Sequence, residues 1–500
     1  MAYEFFIMNE SSPNPASNLT HHASKAVFWS MGGNIGVSAI SFIGTMIIAR
    51  ILAPEEFGII GMAMLFTELI AIFGNLGMTG ALIQLKETDE EFKSTAFWTN
   101  MICAAALFIV SLLTAPLAAK FFNQPDVQPV LMVLASMYIF SALAITHASL
   151  LYKELRFKEM AVIEIISSLV RIFLIVLLAL AGFGFWSLVW GTVLERIFKT
   201  ILIVNCHSWR PKFLFSKEKF DRLFHFGRNI YGQSFVNYFS NNIDFIITGK
   251  ILGPQSLAFY QFAYNLPHLV LSHVSAGIEN VSFPVFSKLQ DERTRLARGF
   301  LKSVKYISIV TFPLMAGLAF VAKDFMTTMY GAQWAPAILP LQILCLSGAI
   351  RSVTVTIHPV LQAIGRPDIT LKYTLALMPI VVVLIIFLSR WGVEGVALGM
   401  VGTSFLYLAV VRTGAHQIGT RLRVFFKSLI PSVVCSLLMV AVLFAIGRIP
   451  SMDRLFGLVR LAVNVLAGGG VYTGILWLLF RNDFNDLLAF ARGMFFKSKI

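Results

Sequence analysis

Arg351 stands inside LCLSGAIRSVTVTIHP, a stretch with no acidic residue to neutralise it. A charge in hydrocarbon costs about 2.5–3.5 kcal/mol on insertion scales, so such groups face the protein interior or a water-filled cavity. Glu68, Glu164, Arg171 and Glu279 also lie deep in apolar runs. A shallower set near the ends of such runs comprises Glu195, Arg196, Lys199, Arg228, Lys302 and Lys305. Within RNIYGQSFVNYFSNNID, residues Asn229, Gln233, Asn237, Asn241 and Asp244 recur every three or four positions, which makes one polar stripe along a helix.

These residue types point to a particular chemistry. Arginine grips phosphate oxygens bidentately and stays charged in a low dielectric. Asparagine and glutamine offer both donors and acceptors to sugar hydroxyls. A cavity lined by Arg351, Arg171, Arg228, Asn229, Gln233, Asn237, Asn241, Lys302 and Lys305 therefore suits an anionic, hydroxyl-rich ligand, such as a sugar attached to a lipid pyrophosphate. A cationic drug would prefer acidic and aromatic groups. Glu68, Glu164 and Asp244 are the candidates for ion coupling. Plainer roles compete with these. Lys302, Lys305, Lys199 and Arg228 are long enough to snorkel to an interface, and Glu164 with Arg171, two turns apart on one helical face, forms a candidate structural ion pair.

The elements that must position these groups follow from composition. Of 500 residues, 57% are hydrophobic and only 13% charged; mean hydropathy is +0.76. A soluble domain carries about a quarter charged residues, so lipid is the solvent for most of this chain. About 20 apolar residues in helix span the bilayer core. Fourteen such runs are present, continuous rather than alternating, which favours helices over a β-barrel. The expected fold class is an all-α polytopic membrane protein. Four cysteines, with no pair at metal-ligand spacing, suggest neither a metal site nor a disulfide framework, and no cofactor is expected.

The formal charge of +14 is distributed as topology requires. If the N-terminus is cytoplasmic, the cytoplasmic segments hold 24 Lys and Arg and the opposite loops 7. The positive-inside rule then puts both ends in the cytoplasm, as an even number of spans demands. Attraction to anionic inner-membrane lipid accounts for the basicity, and the loops lack the aromatic interleaving of a nucleic-acid groove. The longest outward loop is 322–334, and no loop is long enough to fold into a catalytic domain, so no enzyme activity is expected.

An internal repeat organises the chain. TMIIARILAPEEFGIIGM (45–62) recurs as FIITGKILGPQSLAFYQF (245–262), each lying between the first and second runs of a set of six. Gly184 and Gly191 similarly match Gly392 and Gly399. The expected plan is a flexible cytoplasmic tail (1–24), a six-helix lobe (25–204), a cytoplasmic linker (205–224), a parallel six-helix lobe (225–412), two further helices (413–480) and a cytoplasmic C-terminal tail (481–500). Parallel repeats relate two halves about an axis along the membrane normal, with a central cavity. Arg50 and Lys250, at the matching turns, read as structural caps of the preceding helices or as an outward gate.

The stretches 29–66, NLGMTGALIQ (75–84), LLYKELRFKEMAVIEI (150–165) and 226–267 resemble the Wzx-type polysaccharide flippases of the multidrug/oligosaccharidyl-lipid/polysaccharide (MOP) exporter superfamily, closest to the colanic-acid and lipopolysaccharide exporter group. The resemblance extends over essentially the whole chain after residue 24. It implies fourteen helices in two six-helix lobes plus two. It also implies transport of undecaprenyl-pyrophosphate-linked oligosaccharide across the bacterial inner membrane for exopolysaccharide or lipopolysaccharide assembly, with the polymerase and chain-length machinery of the same pathway as partners. It names no sugar and no site residue. Two other readings compete: a cation-coupled multidrug antiporter on the same fold, kept alive by Glu68 and Glu164, and a membrane polysaccharide polymerase or ligase, disfavoured by the short outward loops.

Overall fold

A computed structural model describes the chain except residues 1–14, 75–79, 81, 83–88, 450–455 and 487–500; the side chains of 15–28, 31, 222–233, 273 and 275–284 also lie outside the description. Lipid offers backbone groups no hydrogen-bond partners, so apolar runs close their own bonds as helices. They do so here as α1 (Pro15–Ile51), α2 (Pro54–Ala71), α3 (Glu90–Phe122), α4 (Val127–Lys153), α5 (Phe157–Leu180), α6 (Phe185–Cys206), α7 (Lys217–Lys288) and α8 (Arg293–Phe325). They continue as α9 (Ile338–Thr354), α10 (Ile357–Ala363), α11 (Pro367–Leu388), α12 (Gly392–Leu406), α13 (Leu408–Gln417), α14 (Leu422–Gly447) and α15 (Gly457–Leu479). Helix α1 begins inside the stretch expected to be a tail.

Among the described residues, ten helical stretches are long and apolar enough to cross a membrane. One of them, Pro367–Gln417, contains two of the fourteen expected spans. Helix α6, with three charges, and the amide-rich α7 supply the helices of the others. The protein is an all-α, multi-pass membrane protein.

The chain divides into two compact units. Unit 1 comprises Met1–Leu52 and Met62–Tyr238. Its core includes Phe97, Leu150 and Trp209 at one end and Ile70, Ala135 and Tyr138 elsewhere. The connector after α6 is pinned to α3: Trp98 Nε1 donates to the Lys212 carbonyl (2.8 Å), and the Ser216 amide to Thr95 Oγ1 (3.0 Å). Asp89 caps α3 by accepting from the Phe92 amide at 3.0 Å, and Lys219 bridges Asp89 and Glu91.

The Lys219 ammonium, hydrogen-bonded to Asp89, holds that carboxyl below its ordinary 3.8. A depressed carboxylate stabilises the fold above its unfolded value and ceases to do so as pH falls through its folded value. Asp89→Ala is therefore expected to cost about 1 kcal/mol at neutral pH, as a lost N-cap does. The gap in thermal midpoint between wild type and Asp89→Ala, measured in detergent, should close as pH is lowered below 3.8.

Unit 2 comprises Ala53–Gly61 and Phe239–Ile500. Phe300, Ile357, Leu361, Val411 and Phe425 are central to its largest cluster, and Cys435, Met439 and Tyr472 to a second. The two repeated turns are built differently. In the first, Pro54 opens α2 and Glu56 Oε2 accepts the Ala53 amide at 2.7 Å, so the carboxylate satisfies a free helix-end donor. In the second, Gly253 breaks α7 into two halves at φ 84°, a conformation glycine adopts without penalty. Gly58 packs so closely on this hinge that a Cβ there would sit 1.8 Å from the Pro254 carbonyl oxygen.

The expected loop at 322–334 is instead folded. Helix α8 continues to Phe325, a π-helical turn follows at Met326–Tyr330, and a 3-10 segment spans Ala332–Ala337. Trp334 drives this by burying its indole completely. Its ring stacks on Phe262 at 3.7 Å and meets Phe57 edge-on at 5.5 Å.

Candidate functional site

The polar stripe of α7 turns over its length. Asn237 and Asn241 are exposed, but Asp244, less than a turn on, points into the core of unit 2 with 1% exposure. The side chains of Arg228, Asn229, Gln233 and Glu279 lie outside the described residues. The hinge at Gly253 folds the second half of α7 back, and this returns Tyr260 and Tyr264, one turn apart, to the level of Asp244. The Tyr260 hydroxyl donates to Asp244 Oδ2 at 2.7 Å. A buried carboxylate needs such a partner, because desolvation without one costs several kcal/mol.

Arg351 reaches this pair from α9. Its Nη1 donates to the Tyr264 hydroxyl at 3.1 Å and its Nη2 to Asn241 Oδ1 at 3.3 Å. The guanidinium is half-buried and lies within the field of Asp244. Of its five N–H donors, two are held by this socket, which fixes its direction, and the other three make no side-chain or backbone hydrogen bond among the described residues. Tyr264 stacks in turn on His268 at 5.4 Å. A rigid guanidinium backed by hydroxyl and amide partners can dock a phosphate oxygen pair without reorganising.

The remaining candidates are dispersed. In unit 1, Glu164 does not pair with Arg171. Seven residues of helix rise about 10 Å, too far for that contact, whereas the α5–α6 hairpin brings Lys199 within 2.6 Å of Glu164. Arg171 donates to Ser41 on α1 at 2.9 Å. Beside them, Arg196 Nε is buried with no hydrogen-bond partner among the described residues. Glu68 is exposed on α2, within one turn after Leu65 and Thr67, whose carbonyls accept from Tyr238 (2.5 Å) and Tyr138 (2.6 Å). In unit 2, Lys305 forms an ion pair with Asp483, and Lys302 lies over the Tyr306 ring at 5.7 Å. Arg50 is exposed at the end of α1, and Lys250 is half-buried three residues before the hinge.

Removing Lys199 leaves Glu164 unpaired at membrane depth. Both groups retain some exposure, so the loss is expected to fall near the lower end of the ~3–5 kcal/mol seen when one partner of a buried pair is deleted. A double-mutant cycle checks this. Lys199→Met should destabilise more than the combined Lys199→Met and Glu164→Gln variant.

Sequence reasoning missed Tyr260, Tyr264, His268 and Trp334. Tyrosine in an apolar run reads as core, and only the one-turn spacing of Tyr260, Tyr264 and His268 in FYQFAYNLPH marks a shared helical face.

Comparison with known proteins places this architecture. Over 395 residues the chain is 26% identical to the lipopolysaccharide biosynthesis protein WzxC of Escherichia coli (strain K12), covering 77% of this chain and 78% of that protein. It is 25% identical to the teichuronic acid biosynthesis protein TuaB of Bacillus subtilis (strain 168), covering 95% of this chain and 99% of that one. Its fold matches that of lipid II flippase MurJ in an inward closed conformation with a TM-score of 0.74 at 17% identity, over 91% of this chain and 99% of MurJ. The model of the family described as polysaccharide biosynthesis protein matches residues 47–339, more than half of the sequence, and the chain belongs to that family.

Proposed function

We propose that this protein is a flippase: it moves polyprenyl-pyrophosphate-linked oligosaccharide units across the bacterial inner membrane for the assembly of an exopolysaccharide or lipopolysaccharide. The observation that carries this reading is Arg351, a guanidinium at membrane depth held by Tyr264 and Asn241. A charge at membrane depth faces the bundle interior or a water-filled cavity and marks a substrate or ion path. The Arg351 face of unit 2 accordingly lines the aqueous path, where it takes the pyrophosphate while the polyprenyl tail stays in lipid. Both termini are placed in the cytoplasm in this reading, which the charge asymmetry of the loops supports. Two parallel six-helix lobes and two added helices alternate access to this path. No chemical step on the substrate is needed, and the polymerase and chain-length machinery of the same pathway receive the product. Asn241, bonded to the guanidinium, borders the anion site in unit 2, and Glu68 and Asp244 are the groups available for ion coupling.

Deleting the gene tests the assignment against a drug antiporter on the same fold. The expected result is loss of surface polymer with lipid-linked units accumulating on the cytoplasmic leaflet. Unchanged polymer with new drug sensitivity would overturn it.

A further inference from the structure

Next to the Arg351 socket lies a surface that anion binding does not use. Tyr264 holds the guanidinium through its hydroxyl, and its ring carries His268 in a stacked arrangement at 22°. His268 and Asn265 are both exposed, on the returning half of α7. An imidazole and an amide at membrane depth are costly toward lipid, so this face meets water or a polar ligand. The exposed face of the His268 imidazole, backed by the packed Tyr264 ring, offers a flat aromatic plane, the imidazole nitrogens and the Asn265 amide offer donors and acceptors, and the three residues span little more than one helical turn. A pyranose ring has the complementary structure: an apolar C–H face bordered by hydroxyls. We infer that Tyr264, Asn265 and His268 form a sugar-binding shelf that reads the pyranose attached to the pyrophosphate held by Arg351.

The inference rests on the flippase reading and deepens it. His268 and Asn265 are specificity-determining residues, and Arg351 is the anchor common to every substrate. Because Tyr264 bonds the anchor and also supports the shelf, phosphate and first sugar are sensed through one rigid element. The stacked pair sets the height of the sugar above the guanidinium, so the shelf discriminates among sugars by the orientation of their hydroxyls. A hydroxyl left without its partner costs affinity more sharply than a lost apolar contact.

Binding measurements on the full-length protein in lipid nanodiscs test this with two probes: undecaprenyl pyrophosphate, and the lipid-linked oligosaccharide purified from a strain lacking the gene. Wild type is expected to bind the glycosylated probe about tenfold more tightly, the equivalent of one or two net hydrogen bonds. His268→Ala, a change at an exposed position, should erase that preference while keeping the affinity for undecaprenyl pyrophosphate. Asn265→Ala should reduce the preference partially, and Arg351→Ala should weaken both probes. Equal binding of the two probes by wild type, or parallel weakening of both by His268→Ala, would overturn the shelf and leave the transport reading intact. Failure of wild type to bind either probe, or binding of undecaprenyl pyrophosphate insensitive to Arg351→Ala, would overturn the transport reading itself.

Discussion

Arg351→Ala is expected to reduce polymer export at least about thirtyfold at matched membrane levels, the lower bound for deleting one partner of a buried, hydrogen-bonded charge pair in a binding site. The substitution removes the anion's partner and leaves Tyr264 and Asn241 with unused polar groups facing the path. Asp244 also loses the positive charge in whose field it lies. Arg351→Lys keeps the charge but loses the planar fork, so it should export at an intermediate level. Quantifying surface polymer in a deletion strain complemented with each variant, with membrane abundance measured in parallel, separates loss of transport from loss of insertion.

Trp334→Ala should give the largest loss of stability. The indole is fully buried and touches Phe57, Phe259, Phe262 and Tyr330. Truncating a buried Trp costs about 3–5 kcal/mol, from lost transfer energy and the cavity left behind. Phe57 belongs to the Ala53–Gly61 segment, which packs in unit 2 although the rest of α2 packs in unit 1. The cavity therefore loosens the segment where the chain passes between units. Trp391→Ala is the matched control: that indole is 60% exposed, so its truncation opens no cavity. Thermal unfolding in detergent should show a clear drop for Trp334→Ala and little change for Trp391→Ala.

The fold was legible because lipid imposes a simple code. Each crossing needs a continuous apolar run, and the runs between Lys25 and Phe480 announce themselves by length. The repeated Arg50–Pro54 and Lys250–Pro254 turns marked where α1 gives way to α2 and where α7 folds back on itself. The difference in their construction, a carboxylate cap in one and a positive-φ glycine in the other, emerged only with backbone angles in hand. The folded 326–337 connector was hidden because hydropathy reports which residues prefer lipid and says nothing of how a short polar–aromatic stretch packs.

The site was half legible. Arg351 stood out because an unpaired charge in an apolar run demands an explanation, and Asn241 and Asp244 because amides and carboxylates at helical spacing do too. The partners were another matter. Which cation meets Glu164 depends on how the α5–α6 hairpin folds, and that contact joins residues 35 apart. Tyr264 meets Arg351 across 87 residues, through a tyrosine that sequence alone assigns to the core.

The central claim is that lipid-linked oligosaccharide crosses the bilayer past Arg351. Purified protein in vesicles containing that lipid, probed with a membrane-impermeant sugar oxidant added outside, tests it most directly. With wild type, the oxidised fraction should rise with time from the outer-leaflet share toward completion, and with Arg351→Ala it should stay at the outer-leaflet share. An oxidised fraction that never exceeds the outer-leaflet share with wild type, or that rises equally with Arg351→Ala, would contradict the account.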